Sequence, residues 1–408
     1  MKKCVDQIDM EGKFVLLRAD FNVPLGPDGQ ISDDRRITQA LATIRYIIEH
    51  DGRVILMSHL GRPAGEPQPR FSLAPVAERL SQLLDQSVPL VSDYTGADKP
   101  EAITSLRKGR VVLLENLRFH PEETIKGSDT EKHPPAKIKK RQFARKIVDL
   151  GEVYINDAFG TCHRDNASML TVPLLMDDKP RAVGFLVAKE LKVLGEALER
   201  PARPFVCILG GAKVSDKIGV IESLISRCDT ILIGGAMAFT FMLARGEKVG
   251  DSLAEPDRLD QAKRLMDLAG DKLKLPLDTV CAAELTPLPP TQVCSGSIPA
   301  GQKGLDIGPR TVAGYSDILA TAKTIIWNGP MGVFETKPFD RGTLAIGEAV
   351  ADATDAGATS IVGGGDSAAA VIAGGLQDRI THISTGGGAC LAFLEGKQFE
   401  ALEILDDA

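Results

Sequence analysis

The run Ile361-Val362-Gly363-Gly364-Gly365-Asp366-Ser367, followed by Ala368, Ala369 and Ala370, reads as a buried strand, a glycine turn and a helix. Glycines let backbone N–H groups turn toward a ligand with no Cβ in the way. A helix starting at Asp366 and Ser367 adds its free N–H groups and the positive end of its dipole, which makes a phosphate seat. An acid inside such a seat suggests Mg²⁺, which bridges carboxylate and phosphate. The plainer reading is a tight turn with Asp366 as N-cap. Against it, Ser384-Thr385-Gly386-Gly387-Gly388-Ala389 repeats the pattern shortly afterwards. Two glycine-rich helix starts so close together suggest more than one phosphate.

The remaining composition suits this reading. A chain of 408 residues argues for two or more domains, and 43% hydrophobic residues with 5% aromatics and 40 glycines suit α/β domains built from Val, Ile, Leu and Ala. A net charge of −7 gives no global attraction to nucleic acid or an anionic membrane, so any anion site must be local. Seven scattered cysteines without a CxxC pair read as reduced, buried thiols of a cytoplasmic protein. No signal peptide and no membrane-spanning run is expected.

In the first half, strands are expected at residues 13–19, 53–58, 88–91, 110–115 and 152–156, alternating with helices such as residues 37–50 and 74–84. That alternation implies a parallel sheet, whose ligands sit beyond the carboxyl ends of the strands. Those ends deliver Asp20 and Asn22, His59 and Arg62, Arg118, and Arg164, with Arg35 and Arg36 at a helix start. Each alone is an ordinary loop residue. Together Arg36, His59, Arg62, Arg118 and Arg164 form a cationic pocket in an acidic protein, and guanidinium forks bind carboxylate and phosphate bidentately. Residues 122–145, with Lys137, Lys139, Lys140, Arg141 and Arg145, read as a solvated, partly helical surface excursion rather than an accessory anion or partner patch.

Val187, Leu191, Leu194 and Leu198 mark an amphipathic connecting helix, with a domain boundary near residue 190. Beyond it, residues 205–209 feed Gly210-Gly211-Ala212-Lys213-Val214-Ser215-Asp216-Lys217. Lys213 and Lys217, spaced i and i+4, are expected on one face of a helix. Strands also lead to Gly234-Gly235 and to Asn328-Gly329-Pro330, and Lys303-Gly304-Leu305-Asp306 is expected in a loop. Glycines at these strand ends let a flat base and ribose approach the backbone. Neither a Walker A sequence nor a GxGxxG fingerprint is present.

Taken in order, these segments, with Asp20-Phe21-Asn22-Val23-Pro24, His59-Leu60-Gly61-Arg62-Pro63, Glu115-Asn116-Leu117-Arg118-Phe119 and Asn156-Asp157-Ala158-Phe159-Gly160-Thr161, resemble the phosphoglycerate kinase family. The resemblance implies reversible phosphoryl transfer from 1,3-bisphosphoglycerate to ADP, giving 3-phosphoglycerate and ATP. It implies two doubly wound parallel-sheet α/β domains joined by a hinge helix, with the substrate cleft between them. The expected division is a phosphoglycerate-binding domain over 1–186, a connecting helix over 187–200, a nucleotide-binding domain over 201–384, and a segment over 385–408 returning toward the first domain. It assigns substrate binding to Asp20, Phe21, Asn22, Arg36, His59, Leu60, Gly61, Arg62, Arg118 and Arg164. Nucleotide binding falls to Lys213, Lys217, Gly235, Gly304, Asn328, Glu335, Gly363, Gly364, Gly365, Asp366 and Ser367. Catalysis falls to Arg36, Lys213, Lys217, Gly364 and Gly387, and Asp366 ligates Mg²⁺ held with ATP or ADP. A cytoplasmic monomer without nucleic-acid or membrane partners is implied.

The sequence departs from the family's pattern at Asp165 and Asn166, where members more often carry Ala-His, in the length of residues 122–145, and in the tail after Gly396. The chemistry itself needs no general base, because a phosphate oxygen attacks and a carboxylate leaves. His59 is accordingly expected as a ligand. Two other classes are a Rossmann-type dehydrogenase, disfavoured by the missing GxGxxG, and a non-catalytic anion-binding protein on the same fold.

Overall fold

The computed structural model describes residues 2–96, 98–128, 133–384 and 386–408. Thr385 of the second glycine motif, and residues 129–132 of the 122–145 stretch, lie outside the described residues. The chain divides into two compact units, Met1–Lys192 with Gln398–Ala408, and Val193–Lys397. The division falls within the helix Phe185–Glu199, in which Val187, Leu194 and Leu198 are buried.

In the first unit, β1 (Phe14–Ala19), β2 (Arg53–Met57), β3 (Leu90–Val91), β4 (Val111–Leu114), β5 (Val153–Asp157) and β6 (Arg181–Val183) form one sheet in the order β3-β4-β2-β1-β5-β6. Every pairing is parallel. Strands covered by helices on both faces carry near-continuous apolar runs rather than alternation, as VVLL in β4 does. The strand order reverses between β1 and β5, so their carboxyl ends border the crevice where such sheets take ligands. The helix Arg35–Glu49 starts two residues before the apolar pattern, which puts Arg36 in its first turn. The tail closes on this unit, where Arg181 Nη2 meets Asp406 Oδ1 at 3.2 Å and Lys3 N donates to Asp406 O at 2.8 Å.

The second unit holds β7 (Phe205–Leu209), β8 (Thr230–Ile233), β9 (Leu273–Lys274), β10 (Asp278–Ala282), β11 (Gln292–Ser295), β12 (Lys303–Ile307), β13 (Thr324–Asn328), β14 (Thr359–Gly363) and β15 (His382–Ser384). Its main sheet is parallel, in the order β15-β14-β13-β7-β8-β9, and reverses between β7 and β13. A separate antiparallel sheet, β11-β10-β12, corrects one expectation: Lys303 to Asp306 are strand, not loop. Gly304 and Asp306 hide the strand in the sequence because neither residue favours sheet. Gly304 is nonetheless required, since a Cβ there would collide with the Phe239 ring.

A second correction concerns Lys213 and Lys217. The helix runs Ile218–Ile225, with Lys217 as its N-cap and Lys213 in the preceding turn. Glu255 accepts from Ser215 N at 3.0 Å and Ser215 Oγ at 2.6 Å, which holds that turn out of the helix. Lys213 is exposed and Lys217 is buried, so they do not share a helix face.

The β7/β13 junction is built from backbone. Gly210 N donates to Asn328 O at 3.0 Å and Gly211 N to Pro330 O at 3.1 Å. A Cβ on Gly210 would strike the Pro330 carbonyl and lie 2.7 Å from Gly329 O. Gly210→Ala should therefore cost about 1–3 kcal/mol and lower the thermal midpoint by several degrees. Gly365→Ala, at a helix start with nothing within 4 Å of the added methyl, should be neutral or stabilising by up to about 1 kcal/mol. Calorimetric melting of both variants checks the contrast.

Candidate active site

β1 ends in a charged cluster whose centre is Arg18. This guanidinium is 1% exposed, inside a strand that otherwise reads FVLLRA as core. Burying a charge is costly unless it is hydrogen-bonded, and Arg18 is held on each side. Its Nε donates to Ser168 Oγ at 2.9 Å, one Nη donates to the Ala19 carbonyl, and the other lies 3.2 Å from His59 Nδ1. Ser168 in turn donates from Oγ to Glu123 Oε1 at 2.6 Å and from N to Oε2 at 2.9 Å. Glu123 is fully buried, and burial raises its pKa against the opposing pull of Arg18.

The sequence-predicted residues gather around this centre. Arg36 Nη1 donates to Asp20 Oδ2 at 2.7 Å, and Asp20 Oδ1 lies 3.9 Å from His59 Nδ1. Burial alone would raise the Asp20 pKa; His59, Arg36 and Arg18 hold it below the ordinary carboxylate value. Burial, reinforced by Arg18, Arg118 and Arg164, pushes His59 well below its usual pKa, so its ring is neutral at pH 7. With an Arg18 N–H against Nδ1, the ring proton belongs on Nε2, which makes His59 a neutral donor. Asn22 Oδ1 accepts from Gly61 N at 2.8 Å, and the Gly61 carbonyl accepts from Arg118 Nη1 at 2.7 Å. Burial and the neighbouring Arg164 lower the Arg118 pKa to about 10, and burial with Arg62 lowers that of Arg164. Crowded like charges with shifted pKa values of this kind are a feature of functional sites. Phe21 and Leu60 lie in the core, so their side chains face away from any ligand.

Arg62, Arg118 and Arg164 also line a groove of about 1080 Å³ that Asp20, Asn22, Arg36 and His59 do not line. Lys126, Lys137, Lys140 and Arg141, from the 122–145 stretch, complete its wall. The expectation of a solvated excursion therefore holds only in part. The helix Pro134–Val148 buries Phe143, Ala144, Ile147 and Val148, and Lys140 is only 6% exposed. The Lys140 ammonium donates to the carbonyls of Ile125, at 2.6 Å, and Asp165.

In the second unit, the helix Gly365–Ala373 has Gly364 as its N-cap, at φ +99° and with no side-chain cap. Asp366 therefore stands inside the first turn and does not cap. The helix Gly387–Leu394 starts alongside it: a Cβ on Gly387 would lie 3.0 Å from Gly364 Cα. Ser367 Oγ accepts from Gly329 N at 2.6 Å, tying the turn to the end of β13. Lys217 Nζ donates to Asn328 Oδ1, while buried Asn328 Nδ2 has no partner among the described residues. Burial lowers the Lys217 pKa to about 8, so the amine is mostly charged at pH 7.

Beside this turn lies a cavity of about 240 Å³ that brings together Gly235, Gly304, Glu335 and Asp366. Lys213, Lys217, Asn328, Gly363, Gly364, Gly365 and Ser367 do not line it. Phe239, Leu253 and Val333, which sequence reasoning missed, supply apolar walls. Leu253 gave no signal in the sequence, since its 57% exposure is a property of the fold. Asp306 also lines the cavity; burial raises its carboxyl to about 8, so at pH 7 it is largely neutral and does not repel an anion. Arg18, by contrast, stands out in the sequence as the one charge within an apolar strand.

Comparison with known proteins agrees with this architecture. The family model described as phosphoglycerate kinase matches residues 5–397. The chain is 52% identical over 411 residues to phosphoglycerate kinase of Rhodopirellula baltica and 51% identical over 410 to that of Chlorobium phaeobacteroides, each covering 100% of both chains. The solved phosphoglycerate kinase of Coxiella burnetii superposes with a TM-score of 0.84 at 38% identity, covering 99% of this chain and 98% of the other. That of Pyrococcus horikoshii gives 0.81 at 33%, covering 98% and 97%.

Above its pKa of about 8, the buried Lys217 ammonium loses its positive charge, and with it any attraction for a phosphate placed beside it. The dissociation constant for ADP, measured by titration calorimetry, should rise several-fold between pH 7 and 9. In Lys217→Arg, whose guanidinium stays charged, the rise should vanish.

Proposed function

The chain belongs to the phosphoglycerate kinase family and carries out its reaction, the reversible transfer of a phosphoryl group from 1,3-bisphosphoglycerate to ADP; we propose how its residues divide that work. The first unit holds the three-carbon acid through Asp20, Asn22, Arg36, His59, Arg62, Arg118 and Arg164, with Phe21, Leu60 and Gly61 contributing backbone. Arg18 is a positioning residue that fixes His59. The second unit holds the nucleotide. Glycine walls at Gly235 and Gly304 with Phe239 and Val333 suit a flat base, Glu335 suits a ribose, and the turn from Gly363 to Ser367 suits the phosphates. The protein is read as a cytoplasmic monomer. Among the described residues, no helix is long and apolar enough to cross a membrane.

The observation that carries this reading is the packing of Gly387 on Gly364. Two helix N-termini open side by side there, beside Lys217 and Asp366. Their free N–H groups and the ammonium suit charge spread over a migrating phosphoryl group. An oxygen of the ADP β-phosphate forms the new P–O bond, and the P–O bond to the carboxylate of 3-phosphoglycerate breaks. No proton is gained or lost, so the protein's task is positioning and charge neutralisation. Arg36, Lys217, Gly364 and Gly387 are the groups for that task, with exposed Lys213 at its edge.

Mg²⁺ usually keeps several waters and binds through one or two carboxylates plus substrate phosphates rather than an all-protein cage. The donor set agrees: Asp366 stands in a phosphate seat, and no cluster of three or more His, Cys, Asp or Glu capable of holding a metal occurs among the described residues. Asp366 would hold the ion, which supplies further neutralisation of phosphate charge.

The direct test incubates purified protein with 3-phosphoglycerate and MgATP and traps the acyl phosphate with hydroxylamine. Hydroxamate should form with ADP in equal amount; its absence overturns the reading. Asp366→Asn separates metal ligation from structure, because the helix start is capped by Gly364. Its melting curve should match wild type while the Mg²⁺ concentration for half-maximal activity rises severalfold. Superimposable Mg²⁺ titrations would remove Asp366 as the ligand.

A further inference from the structure

The helix Ile218–Ile225 begins on a poor cap. Its N-cap is Lys217, whose side chain offers no acceptor, although Ser215 and Asp216, both good capping residues, stand just before it. The cause lies 40 residues further along the chain. Glu255 accepts from Ser215 N at 3.0 Å and from Ser215 Oγ at 2.6 Å, and so occupies the hydroxyl with which Ser215 would cap. Burial alone would raise the Glu255 pKa, but the bonds from Ser215 and Val214 and the charge of Lys213 hold it below the ordinary value, so Glu255 is an anion at pH 7. The turn it pins carries exposed Lys213 at one end and buried Lys217 at the other, with Lys217 Nζ donating to Asn328 Oδ1.

Glu255 is also the last residue of an irregular strap, 251–255, whose other end is fastened to a wall of the second-unit cavity. Asp251 N donates to Gln302 O at 2.8 Å, and Ser252 Oγ accepts from Gly304 N at 2.8 Å, Gly304 being a cavity residue on β12. Leu253 stands in the cavity lining and remains more than half exposed. Glu255 N donates to the Thr240 hydroxyl at 3.0 Å, next in the chain to Phe239 of the same lining. The strap therefore joins the cavity wall to the lysine turn.

We propose that Glu255 is a positioning residue for phosphoryl transfer, which keeps the Lys213–Lys217 turn out of the helix and, through the strap, lets an occupied cavity steady that turn. Without the carboxylate, Ser215 or Asp216 caps the helix, Lys217 enters its first turn, and the ammonium leaves Asn328. Electrostatic catalysis depends on cations that are fixed before charge moves, so the loss falls on turnover. A ligand lying against Leu253 and Gly304 restrains the strap, and through Glu255 the turn. The inference rests on the reading above that gives Lys217 to the migrating phosphoryl group and the cavity to the base.

Single and double variants of the full-length protein test it. Glu255→Ala should lower kcat about tenfold or more, while the melting point stays within a few degrees of wild type. Its Kd for adenosine, which fits the cavity but carries no phosphate, should stay within about twofold of wild type. Glu255→Gln, which keeps an acceptor for Ser215, should recover part of the lost kcat. Ser215→Ala should lower kcat less than Glu255→Ala, and the double variant should be no slower than Glu255→Ala alone, because both changes break one contact. Adenosine should slow amide exchange over residues 213–217 in wild type and not in Glu255→Ala. Near-wild-type kcat in Glu255→Ala, additive losses in the double variant, or a fall in adenosine affinity that matches the fall in kcat overturns the positioning role. Unchanged exchange in wild type saturated with adenosine overturns the link to the cavity. Lys217→Ala separates this inference from the reading beneath it. If Lys217→Ala is crippled while Glu255→Ala is active, only the role of Glu255 fails; if Lys217→Ala keeps wild-type kcat, the assignment of the lysine itself fails.

Discussion

The first unit depends on one buried guanidinium. Arg18 cannot be solvated, so the protein around it must satisfy it, and it does so with groups from three separate places in the chain: Ala19, His59 and Ser168. Leaving a buried hydrogen-bonding group without its partner costs about 1–3 kcal/mol, and more for a charged one. That cost locks β1, the end of β2 and the turn at Ser168 into one arrangement. Burial leaves the His59 ring neutral, with Arg18 reinforcing it, and Arg18 adds to the pull of His59 and Arg36 that depresses the pKa of Asp20. Electrostatic catalysis needs groups that do not reorganise when charge moves, and a guanidinium held in a strand is such a foundation.

The second unit solves the same problem with backbone. Its strand ends carry glycines where the first unit carries arginines, and the closest approaches are between main-chain atoms at Gly210, Gly329, Gly364 and Gly387. Side chains there would push apart the two helix N-termini on which a phosphate is expected. Lys217 is the exception, a cation brought in under the turn and softened by burial.

Much of this was legible in the sequence. Apolar runs ending in polar or glycine turns gave the parallel strands, and the residue types at those ends pointed to two candidate anion sites. What escaped has physical causes. β12 was hidden because Gly304 and Asp306 disfavour sheet, yet Gly304 is needed for the approach of Phe239. Lys213 and Lys217 have helical spacing, but a distant acid, Glu255, holds Ser215 in a turn. Arg18 and Glu123 were passed over because their importance lies in partners about 40 to 150 residues away in the chain. The apolar walls at Phe239 and Leu253 looked like ordinary core and surface, because a pocket is a property of the fold rather than of a motif.

The Asp165-Asn166 pair and residues 122–145 touch. Asp165 takes its place by accepting from Gly127 and Lys140, and Asn166 by donating to Glu123, all within residues 122–145. The stretch and the pair are thus one module in two pieces. Transplanted alone into a scaffold with Ala-His after the arginine, the stretch would lose the Gly127 carboxylate contact and the Glu123 amide contact together. The segment therefore behaves less like an appended loop than like a keyed insert.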